Sequence, residues 1–124
     1  AHIVYPHIDE RPAGYSPQHI AALRHYGFDC AIISDDLDMA GAQGIAAPGE
    51  RIQAALAAGA DVTLMCNDLA AIRQALSRDY HLPDAASSAR RLAALRAHPI
   101  DAATAAAHYR AAQELLQAHA ADLV

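Results

Sequence analysis

The segment Cys30-Ala31-Ile32-Ile33-Ser34-Asp35-Asp36-Leu37-Asp38-Met39 changes over a short distance from an apolar run to a cluster of acids. The run at residues 31–33 predicts a buried β-strand, because isoleucine is β-branched and turn-forming residues flank the run. The acids then follow at the carboxyl end of that strand, where parallel α/β folds bind ligands and carry out chemistry. The segment therefore predicts both a central strand and a candidate site.

Two other strand-like runs lie roughly thirty residues before and after this one, the length of one βα unit. They cover residues 2–5, which Pro6 ends, and residues 61–66, which Asn67 and Asp68 follow. This spacing predicts three strands separated by helices.

The helical patterns between the strands carry clear end signals. The first begins at Ser16-Pro17, a Ser N-cap before a Pro at the first helical position, and it ends at Gly27. The second covers residues 48–58, with Gly59 after it, and the third runs from Asp68 to about residue 78. The order β-α-β-α-β-α predicts a parallel sheet or a barrel segment with helices outside. The strand ends on one shared face would be Tyr5-Pro6-His7, Ser34-Asp35-Asp36 and Cys66-Asn67-Asp68.

The sequence after residue 80 changes character. Asp84 and Asp101 are placed to cap two further helices. We expect these helices to cover the sheet or barrel, so residues 1–80 would form the βα units and residues 81–124 would pack on the same domain. The expected inward positions are Ala89, Leu92 and Leu95, and the last helix runs through Tyr109, Leu115 and Leu116.

The composition excludes several classes of protein. The formal net charge is −5, every basic residue is Arg and no basic run exists, which argues against nucleic acid and anionic membranes as partners. No apolar run approaches the ~20 residues of a membrane span, and no segment resembles a signal peptide. Cys30 and Cys66 lie in apolar runs and predict buried thiols in a reducing, cytoplasmic compartment. No zinc-type spacing or phosphate loop occurs, so no cofactor or metal is expected. The sequence opens on a strand pattern without an initiator Met, as expected of a piece of a longer chain.

Asp35 and Asp36 are the strongest candidates for chemistry. A carboxylate at a strand end can act as a nucleophile, a base or a metal ligand. The alternative is that one of them caps a helix and the other faces solvent. Adjacent strand residues point in opposite directions, so the two acids should not share a role. Asp38 is interpreted as an N-cap or loop acid.

Other polar residues at the strand ends have weaker signals. His2 and His7 flank the first strand, and each has a structural interpretation beside a catalytic one. Asn67 could orient a ligand rich in hydroxyl groups or form a turn. Asp68 is most simply the N-cap of the next helix.

Four stretches, in order and spacing, resemble one enzyme family. Gly27-Phe28-Asp29 followed by residues 32–42 is similar to the nucleophile segment of family 3 glycoside hydrolases, and more narrowly of the bacterial β-N-acetylhexosaminidases that recycle peptidoglycan. The resemblance covers residues 1–80 well and the tail loosely. The other stretches are Ala1-His2-Ile3-Val4-Tyr5-Pro6 with Arg11-Pro12-Ala13, residues 51–61, and Leu64-Met65-Cys66-Asn67-Asp68.

The resemblance implies an α/β fold that forms the last three βα units of a TIM-type (β/α)8 barrel, plus C-terminal covering helices. It implies that Asp35 is the nucleophile of a retaining, two-step hydrolysis of terminal GlcNAc from muropeptides, through a covalent glycosyl-enzyme. Asp36 would support Asp35, and Ser34 would help to hold the strand end. His2 and Asn67 are further residues that could support the site or face the substrate.

One part of the family pattern is missing. The family acid/base is a histidine paired with an aspartate, in a Lys-His-Phe-Pro-Gly-His-Gly-type motif upstream of this segment, and the chain contains neither the motif nor any Lys. His7 does not match the motif. We therefore expect the chain alone to be inactive, to expose sheet edges, and to need the rest of the barrel as its partner.

Two alternatives come from other classes of protein. A receiver-like phospho-acceptor module would use the paired acids to hold Mg²⁺, although it normally needs a strand-end Lys and five strands. A non-catalytic barrel remnant would act in assembly through its Ala-rich helices.

Overall fold

The computed structural model describes residues 2–44, 47–97 and 99–119. Short 3-10 turns cover Ala13–Tyr15 and Ala40–Ala42. The strands and helices in chain order are β1 Val4–Tyr5, β2 Asp9–Pro12, α1 Pro17–His25, β3 Ile33–Asp36, α2 Pro48–Ala58, β4 Val62–Leu64, α3 Leu69–Ala75, α4 Ala85–Ala94 and α5 Ala102–Ala118.

β1 does not join the parallel strands. It pairs antiparallel with β2, whereas β3 pairs parallel with β4. The chain reverses after β1 because Pro6 ends the strand and the Ile8 amide donates to the Tyr5 carbonyl at 2.8 Å. The parallel arrangement predicted for β3 and β4 is confirmed, and the one predicted for the first strand is wrong. His7 lies exposed in the turn of this hairpin.

β3 begins later than predicted and contains the acids. It covers Ile33–Asp36, so Asp35 and Asp36 lie within the strand and not beyond it. Ile33 is 51% exposed, which corrects the prediction that the apolar run at residues 31–33 forms a buried strand. Ile33 pairs with Val62 and Asp36 pairs with Leu64, so β3 has one more residue than β4 between the pairs. This irregularity is a β-bulge, which bends a strand and changes the direction of its side chains.

The helix ends follow the predicted local signals. The Ser16 side chain accepts a hydrogen bond from the His19 amide at 3.3 Å, and Pro17 occupies the first turn of α1. Gly27 and Gly59 adopt left-handed φ values of 85° and 110°. A Cβ at residue 59 would lie 2.9 Å from Ile20 Cγ2, so glycine allows the end of α2 to approach α1.

The core is built mainly from small residues. Its central cluster comprises Tyr15, Leu37, Ala42, Ala55 and Ala60, between α2, the 3-10 turns and the β3–β4 pair. The Tyr15 hydroxyl donates to the Ala42 carbonyl at 3.3 Å, which satisfies the one polar group of this aromatic side chain. Alanine lets the helix backbone pack close to the strands.

Both cysteines are exposed, free thiols, so the prediction that they are buried is wrong. Cys30 belongs to the segment between α1 and β3. Cys66 follows the end of β4, where the chain has already left the core. An apolar sequence neighbourhood did not imply burial, since both residues lie outside the strands.

Asp61 forms a buried ionic cluster that joins three parts of the chain. Its carboxylate is 2% exposed and pairs with Arg24 of α1 at 3.0 Å and Arg91 of α4 at 3.1 Å. It also accepts a hydrogen bond from the Ile32 amide at 2.8 Å. Burial acts to raise the pKa of Asp61, but the Ile32 amide and the Arg91 guanidinium outweigh it, and the net pKa lies below the ordinary value.

The C-terminal helices begin as predicted but bury less surface than predicted. Asp84 and Asp101 cap α4 and α5 through hydrogen bonds from the Ser87 and Thr104 amides. In α4, Ser88 is the buried residue, whereas Ala89 and Leu95 are exposed, so their predicted inward direction is wrong. α5 buries none of its residues in the described part of the chain. The division of the chain at residues 80 and 81 stays a prediction. The exposed apolar side chains of α5 include Tyr109, Leu115 and Leu116.

Among the helices of residues 2–44, 47–97 and 99–119, none is long and apolar enough to cross a bilayer.

We predict that Asp61→Asn lowers the free energy of unfolding of the chain by about 3 kcal/mol, because Arg24 and Arg91 keep their charges without a buried carboxylate. Urea denaturation followed by circular dichroism measures this loss. Asp79→Asn is the matched control, since it makes the same change at an exposed position outside the cluster. It should cost about 0.5 kcal/mol or less. Equal effects of the two substitutions would contradict the role of the buried cluster.

The lowered pKa of Asp61 also predicts an acid dependence of stability. A carboxyl group with a lower pKa in the folded state stabilises that state above its unfolded pKa of about 3.9, and this contribution is lost as the pH falls through the folded pKa. Denaturation between pH 6 and pH 2.5 should show stability falling below about pH 4. Asp61→Asn should make this decline shallower, without abolishing it, because the pKa values of Asp84 and Asp101 are also lowered, first by their hydrogen bonds to Ser87 and Thr104.

Candidate active site

Polar residues that are far apart along the chain lie close together in the structure. Ser34, Asp35 and Asp36 occupy β3, Asn67 follows β4, and His2 precedes β1. All five lie at the carboxyl end of the β3–β4 pair. The predicted shared face therefore includes the ends of β3 and β4. The N-terminal segment contributes His2 to this face, and not His7 as predicted.

Ser34 maintains the irregular part of β3. Its hydroxyl oxygen accepts a hydrogen bond from the Leu64 amide at 2.9 Å and donates to the Asp35 carbonyl at 2.7 Å. The Leu37 amide then donates to the Leu64 carbonyl at 2.9 Å, beyond the extra residue. The hydroxyl thus supplies an acceptor where the bulge interrupts the regular ladder, which holds the backbone of Asp35 in place.

Asp35 presents an accessible carboxylate at this strand end. The side chain is 44% exposed, and its Oδ2 lies 3.7 Å from His2 Nε2. Its Oδ1 accepts a hydrogen bond from the Asp36 amide at 2.9 Å. A carboxylate that its own strand orients and that solvent reaches in part can attack an electrophilic carbon.

Asp36 serves a different purpose from Asp35. Its Oδ1 accepts hydrogen bonds from the Asp38 amide at 3.0 Å and the Cys66 amide at 3.2 Å. Its Oδ2 accepts from Asn67 Nδ2 at 2.7 Å. Both oxygens are used to join the loop after β3 to the loop after β4, so Asp36 supports the site. The two neighbouring acids are separated in direction, as strand geometry predicts.

Asp38 and Arg51 form a buried pair beneath these loops. Asp38 Oδ2 accepts from the Asn67 and Asp68 amides at 3.1 and 3.2 Å, and its Oδ1 lies 3.6 Å from Arg51. Their side chains are 6% and 8% exposed. Asp38 is a loop acid, as one of its two interpretations stated. Arg51 was missed, although an arginine among the apolar residues of α2 is a signal for a buried partner. The Asp68 side chain caps α3 through the Ala70 and Ala71 amides, as predicted.

The thiol beside the site is a poor nucleophile. Partial desolvation of Cys66 and the negative charges of Asp36 and Asp38 raise its pKa, which keeps the sulfur protonated. In the part of the chain that the structure describes, no group of three or more His, Cys, Asp or Glu side chains is arranged to hold a metal ion. Among the acids at this strand end, Asp35 has an accessible carboxylate, whereas the Asp36 oxygens accept hydrogen bonds from both loops.

Comparison with known proteins identifies the family of this chain. Residues 1–94 match the model of the glycosyl hydrolase family 3 N terminal domain. A protein named beta-hexosaminidase from Pseudomonas aeruginosa PAO1 is 46% identical over 79 residues, which cover 62% of this chain and 24% of the relative. The beta-hexosaminidase of Thiobacillus denitrificans is 40% identical over 107 residues, covering 84% of this chain and 29% of the relative.

A solved structure shares the fold. NagZ from Neisseria gonorrhoeae, in complex with N-trifluoroacetyl-D-glucosamine, aligns with a TM-score of 0.62 and 33% identity. The alignment covers 94% of this chain and 31% of NagZ.

The chain belongs to glycoside hydrolase family 3. It spans 24% to 29% of the length of the two curated relatives described above.

We predict that Asp38→Asn lowers the free energy of unfolding by about 3 kcal/mol, because it leaves the Arg51 charge buried without a counter-ion. Adding Arg51→Met to the same variant should recover part of the loss, since it removes the unpaired charge and keeps much of the volume. Thermal and urea denaturation measure both effects. Asp79→Asn, at an exposed position, is the control and should change stability by about 0.5 kcal/mol or less. A double variant no more stable than Asp38→Asn would contradict the charge-pair explanation.

Proposed function

We propose that this chain supplies the nucleophile of a retaining β-N-acetylhexosaminidase, and that Asp35 is that nucleophile. The observation that carries the proposal is the accessible Asp35 carboxylate at the carboxyl end of β3, in a chain of glycoside hydrolase family 3. Carboxylate nucleophiles are the usual solution for retaining glycosidases.

The proposed reaction has two steps. An Asp35 oxygen forms a bond to the anomeric carbon while the bond from that carbon to the glycosidic oxygen breaks, and a general acid gives the leaving oxygen a proton. Water then attacks the same carbon and gives a proton to the deprotonated general acid, which now acts as the base. The bond between the carbon and the Asp35 oxygen breaks and frees the carboxylate. His2 is not the expected general acid, because its Nε2 already forms a hydrogen bond with the Asp36 carbonyl.

The proposed substrate is a terminal GlcNAc of a peptidoglycan fragment, such as a muropeptide, in the cytoplasm. The beta-hexosaminidase names of the relatives and the N-trifluoroacetyl-D-glucosamine complex of gonococcal NagZ support a substrate that carries an N-acylated glucosamine. The peptidoglycan origin rests on the resemblance of residues 32–42 to enzymes that recycle it.

The proposed partner is the rest of a TIM-type barrel. β3 and β4 would be adjacent strands of that barrel, and the acid/base His and Asp would come from its N-terminal part. Ile33 and Leu64 lie on these strands with 51% and 40% of their surfaces exposed, which supports an arrangement that other elements complete. The receiver-like alternative gains no support, because the chain contains no Lys and belongs to another family.

The test uses a hybrid barrel, in which residues 1–94 of this chain replace the matching segment of the Thiobacillus denitrificans beta-hexosaminidase. We predict that the hybrid barrel hydrolyses an aryl β-N-acetylglucosaminide and that Asp35→Asn lowers kcat by on the order of 10³-fold or more, because the nucleophile is lost. The chain of 124 residues alone should give no measurable turnover, since it lacks the general acid.

Asp29→Asn is the matched control, an exposed acid outside the site, and should leave kcat unchanged. A hybrid barrel that folds but is inactive, beside an active parent enzyme, would favour the non-catalytic remnant. Activity that survives Asp35→Asn would exclude Asp35 as the nucleophile.

A further inference from the structure

We propose that His2 is a positioning residue for Asp35: its ring N–H group holds the backbone carbonyl of Asp36, the residue after the nucleophile, and supports the carboxylate from the side. This inference rests on the proposed function for its kinetic consequence, whereas its structural part can be tested without activity.

The first step concerns the proton on Nε2. His2 Nε2 lies 3.1 Å from the carbonyl oxygen of Asp36, on the strand that carries Asp35. A carbonyl oxygen can only accept a hydrogen bond, so Nε2 must carry the proton and donate it. The positive end of this N–H group then also lies near Asp35 Oδ2, at a heavy-atom distance of 3.7 Å. This second distance is too long for a hydrogen bond, so its effect on the carboxylate is electrostatic.

The second step concerns the other ring nitrogen. Nδ1 is buried and has no hydrogen-bond partner in the described part of the chain. Within the described part of the chain, the ring therefore makes its hydrogen bond through Nε2 alone.

The third step concerns the space that the ring needs. The His2 side chain is 11% exposed and packs against Gly41, in the turn that follows β3. A Cβ at residue 41 would lie 2.8 Å from His2 Cβ, closer than two carbon atoms can approach. The absence of a side chain at residue 41 thus admits the histidine, and His2 connects the N-terminal segment to the strand of the nucleophile.

These contacts define what His2 does in the proposed reaction. The Asp36 amide donates to Asp35 Oδ1, and the Asp36 carbonyl that His2 contacts lies on the other side of the Asp36 Cα. Holding this carbonyl restrains the backbone of the residue whose amide orients the attacking carboxylate. A displacement of about 1 Å at a reacting group can lower the rate on the order of 100-fold, so loss of this support should appear in the glycosylation step.

The structural test uses the ¹⁵N-labelled hybrid barrel at neutral pH, because the chain is proposed to need the rest of a barrel. Long-range ¹H–¹⁵N spectra distinguish a protonated from a bare ring nitrogen, and His2→Phe identifies the His2 signals by removing them. We expect a protonated Nε2. A bare Nε2 would overturn the proposal whether or not the proposed function holds.

The kinetic test compares His2→Phe, which keeps a ring but no donor, with His2→Gln, which keeps an N–H donor, in the hybrid barrel. His2→Phe should lower kcat/KM by about 10-fold to 100-fold, and His2→Gln should restore it to within a few-fold of the parent. The inhibition constant of N-acetylglucosamine should stay unchanged in both variants, because His2 supports the nucleophile and not the sugar. Gly41→Ala should repeat the effect of His2→Phe.

Equal activity of His2→Phe and the parent, or an equal loss in His2→Phe and His2→Gln, would contradict a role of the N–H donor. Failure of the proposed function has a different signature, since it would leave Asp35→Asn active or the folded hybrid barrel inactive, and the spectra of the His2 ring would still test the Nε2 contact.

Discussion

The extra residue of β3 relative to β4 is the constraint on which the site depends. It interrupts the hydrogen-bond ladder between the Ile33–Val62 and Asp36–Leu64 pairs. At this interruption, the Ser34 hydroxyl accepts a hydrogen bond from the Leu64 amide. Past this point the two acids of the strand diverge, with Asp36 toward the loop after β4 and Asp35 toward His2 and solvent. Side chains also alternate in direction along a regular strand. A regular strand, however, would not need the Ser34 hydroxyl as a hydrogen-bond acceptor at this position.

A second set of contacts keeps this strand end rigid. The Asp36 carboxylate and the buried Asp38–Arg51 pair connect the loops after β3 and β4 through backbone amides. At the other end of the pair, Asp61 joins α1, α4 and the start of β3. Charged side chains thus connect the segments at both ends of a short two-stranded sheet whose core consists largely of alanine.

The sequence predicted the features that local chemistry decides. The caps at Ser16, Asp68, Asp84 and Asp101 each depend on residues within three positions, and the parallel pairing of β3 with β4 follows from the spacing of two apolar runs. Features that depend on distant partners were not predicted. The reversal of β1 requires its pairing with β2, the exposure of the cysteines depends on where the strands end, and the Asp38–Arg51 pair forms only when α2 packs beneath the loops. The assignment of Asp35 over Asp36 came from the family resemblance, and its accessibility agrees with that choice.

The central claim is that Asp35 becomes covalently linked to the sugar. A 5-fluorinated N-acetylglucosaminyl fluoride slows the second step of a retaining glycosidase and allows the linked enzyme to accumulate. After treatment of the hybrid barrel, trypsin should release residues 25–51 as one peptide, because Arg24 and Arg51 bound a stretch without Arg or Lys. Tandem mass spectrometry should find the sugar on Asp35. Label on another residue, or turnover of the parent substrate without any labelled enzyme, would contradict the account.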